Sequence, residues 1–400
     1  MAPEKEAGAR ALPKAIWALG GVSLLMDVSS ELVHSLLPVF MVSVLGASTL
    51  SLGLLEGFAE GTAALSKMFS GVISDWLGKR KALAVLGYGL SALTKPLFPL
   101  AQTIDWVFTA RILDRVGKGI RGAPRDALIG DLAPSHLRGA AYGLRQSLDT
   151  VGAFLGPGLA IALMFLFSDD IRAVYWFAVI PAVLCVALLI WGVQEPDRKK
   201  DGKAAKFAIN RKELANLSGA YWCVVLVGSV LTLARFSEAF LILRAQSVGL
   251  PVAWLPAVMV VMSLVYALAA YPAGLLSDRM DRRFILMIGT AVLIVADVAL
   301  ALAGTIGTAL LGVALWGLHM GLSQGLLVTL IADTTPPTWR GTAFGLFNFV
   351  SGFVLLAASA LAGFLWDISG PAATFFAGAG ITALAFVGLV LLCRKKTAKA

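Results

Sequence analysis

Long apolar runs recur along the whole 400-residue chain and limit its fold more than any other feature. A helix needs about 20 mostly apolar residues to cross the hydrocarbon core of a bilayer. With 58% hydrophobic and only 14% charged residues, the chain has too little polar surface for a soluble protein. We therefore predict an all-α membrane protein with twelve transmembrane helices, near residues 16–44, 51–74, 82–100, 104–130, 139–167, 172–193, 218–246, 252–276, 284–303, 308–332, 341–366 and 371–393.

The basic residues predict how the chain is oriented. Of the 33 Lys and Arg residues, 22 lie at the termini and in the loops on one side of the predicted helices, and Arg172 is the clear case on the other side. The positive-inside rule then places both termini in the cytoplasm, with the helices in the inner membrane. The net charge of +9 is thus a topology signal, and we expect the lipid bilayer rather than nucleic acid as partner.

An internal repeat predicts two halves. Residues 129–144 and 331–346 share eight of sixteen positions at an offset of 202, and Gly71 and Asp75 have weaker counterparts in Gly274 and Asp278. Parallel repeats of six helices are a recurrent transporter architecture. We therefore predict a six-helix half at 1–193, a basic cytoplasmic linker at 194–216, and a second pseudo-symmetric half at 217–400, in a monomeric protein.

The motifs in and around this repeat resemble those of the major facilitator superfamily, over essentially the whole chain. The loop after the second helix is similar to the family signature G-x-x-x-D-x-x-G-[RK]-[RK], although Trp76 stands where Arg is usual. Its second copy keeps Asp278 but has Asp281 in place of the Gly. The resemblance implies that both loops act as cytoplasmic locks, through Gly71, Asp75, Gly78, Lys79, Arg80, Asp278, Arg282 and Arg283.

Two further motifs resemble helix signatures of the same family. Arg115 and Gly119 match R-x-x-x-G of the fourth helix. Gly152, Gly156 and Pro157 resemble G-x-x-x-G-P of the fifth helix, which is a feature of the antiporter branch. The resemblance implies the major facilitator fold and the drug:proton antiporter branch.

Ionisable residues inside membrane helices are costly and are functional candidates by default. Asp27, Glu31 and His34 occupy one face of the first helix. A carboxylate in a low-dielectric cavity can bind and release protons near neutral pH, which suits proton coupling. The alternative is structural: Asp27 bonds helix backbones and Glu31 neutralises a neighbouring Arg.

The fourth helix carries a positively charged stripe in which Asp114 can pair with Arg111 or Lys118. The stripe must line a cavity or face carboxylates, because lipid exposure would be prohibitive. Towards the cytoplasmic end we expect salt bridges that close a gate, made by Arg121, Arg125 and Asp126. Nearer the middle we leave pathway lining and gating open for Arg111, Asp114, Arg115 and Lys118.

The remaining candidates are spread over three helices. Arg145 and Asp149 lie at i and i+4 and predict a partly buried pair. Arg235 and Glu238 form either a mutual pair or part of a central site. His319 is a candidate for pathway lining, whereas the isolated Asp297 is expected to be structural.

Together these patterns predict a proton-coupled secondary transporter that exports a drug-like solute. Five carboxylates face five cationic groups in the count of candidate site residues, which favours internal pairing and a neutral or cationic substrate. The alternatives are a carrier of organic anions, or efflux of a divalent metal or its chelate. An enzyme is not expected, because the chain has no G-x-x-x-x-G-K-[ST], H-E-x-x-H or G-x-S-x-G motif, and we expect no cofactor and no resident metal.

Overall fold

The computed structural model describes residues 12–77, 79–194, 218–335 and 340–397, and every membrane-length segment in these ranges is helical. The predicted basic linker therefore lies almost entirely outside the described residues. We number the helices in chain order: α1 Lys14–Val44, α2 Thr49–Leu77, α3 Arg80–Leu100, α4 Ile104–Leu132, α5 Arg138–Leu166, α6 Ile171–Gly192, α7 Gly219–Ser247, α8 Ala257–Arg279, α9 Arg282–Ala301, α10 Ile306–Thr334, α11 Arg340–Ser369 and α12 Pro371–Thr397.

Length and hydropathy separate two of these helices from the others. Ten of them contain a stretch that is long and apolar enough to cross a membrane. The other two, α2 and α4, have 29 residues each, and α4 carries nine charged residues. Both are long enough to span about 40 Å, so the prediction of an all-α membrane fold with twelve helices is confirmed.

Several helices are interrupted where the sequence analysis predicted continuous ones. In α3 the helix stops at Thr94 and resumes at Leu97, because Pro96 has no N–H to donate. In α7 it stops at Ala234 and resumes at Ala239. The α7 interruption contains two of the predicted site residues.

Packing divides the chain into two compact units. Unit 1 is Met1–Leu36 with Thr62–Phe207, and unit 2 is Leu37–Gly61 with Ala208–Ala400. In unit 1, α1 packs on α5 and α6, and α3 packs on α4. In unit 2, α10 packs on α8 and α9, while α12 packs on α9 and α7. Residues 37–61 thus pack with the second part of the sequence. The predicted division at 194–216 refers instead to the order of the two repeats along the chain, and it stays a prediction.

The repeat is visible as a pair of equivalent ion pairs. Arg80 pairs with Asp131 in unit 1, and Arg282 pairs with Asp333 in unit 2. Both residues of the second pair lie 202 positions after those of the first. Each pair connects the start of one helix to the end of another, α3 to α4 and α9 to α10.

The first turn of α2 is held by α11 inside unit 2. The Asp367 carboxylate accepts three hydrogen bonds from the start of α2. The donors are the N–H of Thr49 at 3.1 Å, the Thr49 hydroxyl at 2.6 Å and the N–H of Leu50 at 3.0 Å. Asp367 therefore caps a helix that is not its own. The two helices also approach closely here, since a Cβ on Gly363 would lie 2.3 Å from the Thr49 carbonyl oxygen.

Candidate functional site

Two motifs that the sequence analysis treated separately form one packed seam in unit 1. A Cβ on Gly152 would lie 2.9 Å from the Asp27 Cβ, and one on Gly156 would lie 2.8 Å from the Glu31 Cβ. A Cβ at either position would overlap its neighbour, so only glycine allows the two helices to lie this close. The α5 motif thus brings α5 against the face of α1 that bears the carboxylates. Pro157 follows in the buried part of α5. We call Asp27, Glu31, Gly152 and Gly156 the α1–α5 seam.

The carboxylates of the seam lie among charges of both signs. Glu31 Oε2 is 3.4 Å from Nδ1 of His34, one turn later in α1. Cationic groups of α4 act on both carboxylates: Lys118 on each, Arg115 on Glu31 and Arg121 on Asp27. The predicted α4 stripe and the predicted α1 face are therefore electrostatic neighbours.

Asp149 adds a third carboxylate to this region. It forms the predicted i, i+4 ion pair with Arg145 on α5, and both side chains are mostly buried. Asp149 also acts electrostatically on Asp27. A proton taken up at any one of these three carboxylates therefore changes the electrostatic potential at the others.

Lys95 is a site residue that the sequence analysis missed. Its Nζ lies 3.1 Å from Asp114 Oδ1 and 3.1 Å from Ser30 Oγ, and its side chain is 1% exposed. The sequence analysis named Arg111 or Lys118 as the partner of Asp114, and the structure adds a direct ion pair with Lys95. Arg111 also acts electrostatically on Asp114. A single Lys inside the third apolar run was the available signal, and Pro96 now explains why the helix opens there.

Three arginines of α4 are buried around this pair. Arg121 donates to Ser91 Oγ, which donates to the Asp114 carbonyl oxygen at 3.2 Å, and its guanidinium lies 4.8 Å from the centre of the Tyr88 ring. Arg111 and Arg115 are 1% and 4% exposed. We call this set the charge cluster: Lys95, Arg111, Asp114, Arg115 and Arg121.

The residues expected to close a cytoplasmic gate have partners within unit 1. Arg125 pairs with Asp126 at 3.1 Å and donates to Ser23 Oγ and Tyr88 Oη at 3.3 and 3.4 Å. Tyr142 Oη donates to the Asp126 carbonyl oxygen at 2.8 Å. These contacts hold the end of α4 against α1, α3 and α5, and the gating role stays a prediction.

The loop motifs are described only in part. Arg80 and Arg282 form the repeated ion pairs, Lys79 is exposed and Arg283 is partly buried. A Cβ on Gly71 would lie 3.5 Å from Ala123, so α2 packs on α4 there in ordinary contact. The side chains of Asp75 and Asp278, and all of Gly78, lie outside the described residues.

The predicted site residues of unit 2 are electrostatically linked, because Arg235 acts on His319 and Glu238 acts on Arg235. Arg235 and Glu238 are the first and last residues of the α7 interruption, and both are partly buried. His319 is buried, with Nδ1 2.8 Å from the Gly289 carbonyl oxygen and Nε2 3.4 Å from Ser323 Oγ. The described residues contain no group of three or more His, Cys, Asp or Glu side chains that could hold a metal ion.

The fold and the motifs define a multi-pass membrane transporter. The sequence matches the Major Facilitator Superfamily over residues 19–359 and 225–400. The chain belongs to this family, and the family resemblance and the fold predicted from sequence are confirmed.

Relatives of known sequence agree with that assignment. An MFS-type transporter of Methanocaldococcus jannaschii is 32% identical over 96% of this chain and 95% of its own length. The inner membrane transport protein YajR of Escherichia coli is 25% identical over 93% of this chain and 81% of its own. The quinolone resistance protein NorA of Staphylococcus aureus is 24% identical over 55% of this chain and 54% of its own.

Solved structures share the fold at low identity. A bacterial homologue of the human lysosomal transporter Spinster has a TM-score of 0.77 at 16% identity, covering 95% of this chain and 96% of that one. The peptide transporter POT has a TM-score of 0.78 at 13% identity, with 99% of both chains covered. These similarities establish the major facilitator fold and leave the substrate open.

Proposed function

We propose that the chain is a proton-coupled secondary transporter that exports small drug-like organic molecules from the cell. The observation that carries this proposal is the α1–α5 seam, where an antiporter-type glycine motif lies directly on Asp27 and Glu31. In this proposal, protonation of either carboxylate removes a negative charge that the α4 cations balance. The cations are then free to change partners, which links proton binding to conformation.

The proposed cycle is alternating access between the two repeats, in a monomer with both termini in the cytoplasm. Residues 1–193 would move relative to residues 217–400 through the linker at 194–216. The contact between Thr49 and Asp367 joins these two parts of the sequence, so it must break once per cycle. The protein would carry out no chemical change on its substrate.

The charges support a neutral or cationic substrate. The interior of unit 1 pairs its cations with its own carboxylates, as Lys95 does with Asp114 and Arg145 with Asp149. A substrate that brings a cation can compete with a proton for the same carboxylates. The similarity to a quinolone resistance protein, which covers about half of the chain, supports the drug-like class.

A carrier of organic anions is the second candidate, and one observation favours it. Four cations of the charge cluster surround Asp114. Among the described residues of unit 1, Asp114 is the one carboxylate that is buried as deeply as these cations. A substrate anion would add to the charge balance there. The human organic anion transporter MFSD10 shares the fold, with a TM-score of 0.66 at 17% identity. The metal alternative has no comparable support.

Transport in proteoliposomes with an internal pH dye tests both candidates. We expect an outward proton gradient to drive uptake of a quinolone or a cationic dye, and the same compounds to move protons when no gradient is imposed. Benzoate, a simple organic anion, should neither be transported nor compete.

Two outcomes would change the proposal. Drug uptake without proton movement would contradict proton coupling. Competition by benzoate that is lost in Arg115→Gln would replace the drug-like class with the anion class. Asp105→Asn is the matched control, because Asp105 is exposed in the first turn of α4 and should leave every readout unchanged.

A further inference from the structure

Asp297 of α9 is a buried carboxyl for which the proposed function has no use. Its side chain is 0% exposed, and neither of its oxygens has a hydrogen-bond partner among the described residues. Its surroundings are apolar: a Cβ on Gly378 of α12 would lie 2.9 Å from Asp297 Oδ2 and 3.2 Å from the ring of Phe236. The carboxyl and the aromatic ring therefore meet at the same point on α12.

The repeat shows how unusual this position is. At the offset of 202, Asp297 corresponds to Lys95, and Trp316 corresponds to Asp114. The buried ion pair of unit 1 is thus replaced in unit 2 by a carboxyl and an indole. Trp316 is 0% exposed, and its Nε1 also has no partner among the described residues. Within the part of the chain that the structure describes, neither polar group at this repeat position has a hydrogen-bond partner.

The helices packed on α9 supply no countercharge to Asp297. The membrane part of α12 has no ionisable residue, and α8 contributes only Tyr266 and Tyr271 between residues 257 and 277. On α10 the one ionisable group between residues 306 and 331 is His319, whose Nδ1 contacts Gly289, about 12 Å along α9 from Asp297. The remaining charged groups of this region are Arg235 and Glu238, which flank Phe236, and Arg244, which donates to the carbonyl oxygens of Leu300, Ala301 and Ala303.

A carboxylate anion in such surroundings is unstable. A buried charge without a countercharge is strongly disfavoured, because its desolvation is not compensated. A neutral carboxyl group avoids most of that cost, because only its hydrogen-bonding capacity is unsatisfied. The ligand that this position can accept is therefore a proton.

Phe236 connects this carboxyl with the interruption of α7. Phe236 lies between the two α7 segments, and its ring is 5.4 Å from Trp316 and 5.5 Å from Phe375. A non-helical segment can move a side chain by changing a few backbone dihedrals. Arg235 and Glu238 flank Phe236 in this segment, so a movement that carries these two charged residues would also carry the ring.

We propose that Asp297 is a second proton-binding site, neutral beneath Phe236 and opened when the α7 interruption moves. On opening, the carboxyl O–H bond breaks heterolytically, the proton passes to water, and the carboxylate keeps the electron pair. Closure reverses the step. The role of this proton in transport rests on the proposed function, whereas the protonation state of Asp297 does not.

Infrared spectroscopy of the full chain in liposomes at pH 7 tests the site. We expect the C=O stretch of a protonated carboxyl, shifted by carbon-13 labelling of aspartate and absent in Asp297→Asn. The Asp27→Asn variant should retain that band. A wild-type spectrum without such a band, or a band unchanged in Asp297→Asn, would overturn the proposal.

The rate at which the band shifts in deuterium oxide tests the role of Phe236. We expect exchange at least tenfold faster in Phe236→Ala than in wild type, with Phe177→Ala, an equal truncation in unit 1, as the matched control. Equal rates in the two truncations would show that Phe236 does not cover the carboxyl. The exchange measurement tests whether Phe236 covers a protonated carboxyl even if Asp297→Asn fails to fold.

The two proposals can fail independently. An absent carboxyl band leaves proton-coupled export standing. A transporter that moves no protons with its substrate leaves the band, and the buried proton, in place.

Discussion

The interiors of the two units differ in charge although a repeat relates them. Every deeply buried Lys or Arg among the described residues belongs to unit 1, whereas the deeply buried Asp, Glu and His residues described in unit 2 are Glu56, Asp297 and His319. The ion pairs at the loop motifs are preserved at the 202-residue offset. The cationic stripe of α4 is not, since Arg111, Arg115 and Arg121 correspond to Val313, Gly317 and Ser323. The repeat thus conserves helix packing while charge is concentrated in one unit.

The largest effect is expected from removing the central carboxylate of the charge cluster. Asp114→Asn leaves four buried cations without their buried counter-ion, and we expect a loss of about 3–5 kcal/mol in unfolding free energy. Lys95→Met should cost less, because three arginines still act on Asp114. Thermal unfolding in detergent measures both.

Two comparisons make that prediction sharper. The double variant Lys95→Met with Asp114→Asn should be more stable than Asp114→Asn alone. Asp105→Asn on the same helix should have no effect. An Asp114→Asn protein as stable as Asp105→Asn would show that the cluster is balanced by other groups.

The repeated ion pairs should differ in strength because their burial differs. Arg80 and Asp131 are 9% and 22% exposed, whereas Arg282 and Asp333 are 29% and 50% exposed. We expect Arg80→Ala to cost about 1.5–3 kcal/mol and Arg282→Ala about 0.2–1 kcal/mol. Unfolding measured at low and high salt checks this, since only the exposed pair should respond strongly. Equal losses of unfolding free energy in the two variants would mean that the difference in burial does not affect the strength of these ion pairs.

The α1–α5 seam should not tolerate a methyl group. Gly156→Ala places a Cβ 2.8 Å from the Glu31 Cβ, and we expect a loss of about 1–3 kcal/mol together with loss of transport. Gly158→Ala, two residues later in α5, is the matched control, because nothing lies within 4 Å of its Cβ position. Equal activity of the two variants would show that close packing at the seam is dispensable.

A smaller effect than at the seam is expected at the cap between α11 and α2. Asp367→Ala removes three hydrogen bonds, and a cap is worth about 0.5–2 kcal/mol, which is roughly a 2- to 30-fold shift in a conformational equilibrium. Leu356 of α11 lies against Gly57 of α2, since a Cβ on Gly57 would be 2.6 Å from the Leu356 Cα. A thiol reagent should therefore label Leu356→Cys faster in the Asp367→Ala variant, in a background without the three native cysteines.

The matched control for the cap is Asp170→Ala. Asp170 accepts hydrogen bonds from the N–H groups of Arg172 and Ala173 and so caps its own helix, α6. Its loss should cost similar stability without exposing Leu356→Cys. Identical labelling of the two variants would contradict a role for Asp367 in closing the contact.

The sequence predicts the fold well because bilayer thickness and apolar run length are directly comparable. It also predicts the Arg145–Asp149 pair, which depends only on helical spacing. Partners on different helices were not predictable in this way. Lys95 meets Asp114 because α3 opens at Pro96, and Asp27 meets Gly152 because two glycines allow close packing, so both contacts depend on tertiary geometry.

The interruption of α7 was also not predictable from hydropathy. The sequence analysis placed residues 234–239 in a continuous helix, with Arg235 and Glu238 as either a mutual pair or part of a central site. The helix instead stops there, and Phe236 enters an aromatic cluster. The structure shows that the interruption is repeated, since α1 is also interrupted after His34, the residue that corresponds to Phe236 at the 202-residue offset.

The pH dependence of drug uptake tests most directly the claim that the α1–α5 seam binds the transported proton. Uptake should be measured across a pH series in proteoliposomes containing wild type, Asp27→Asn, Glu31→Gln and Gly158→Ala. We expect wild type and Gly158→Ala to share one pH profile, and at least one of the two seam variants to lose pH dependence while still binding the drug. Profiles that stay identical in all four proteins would contradict the claim.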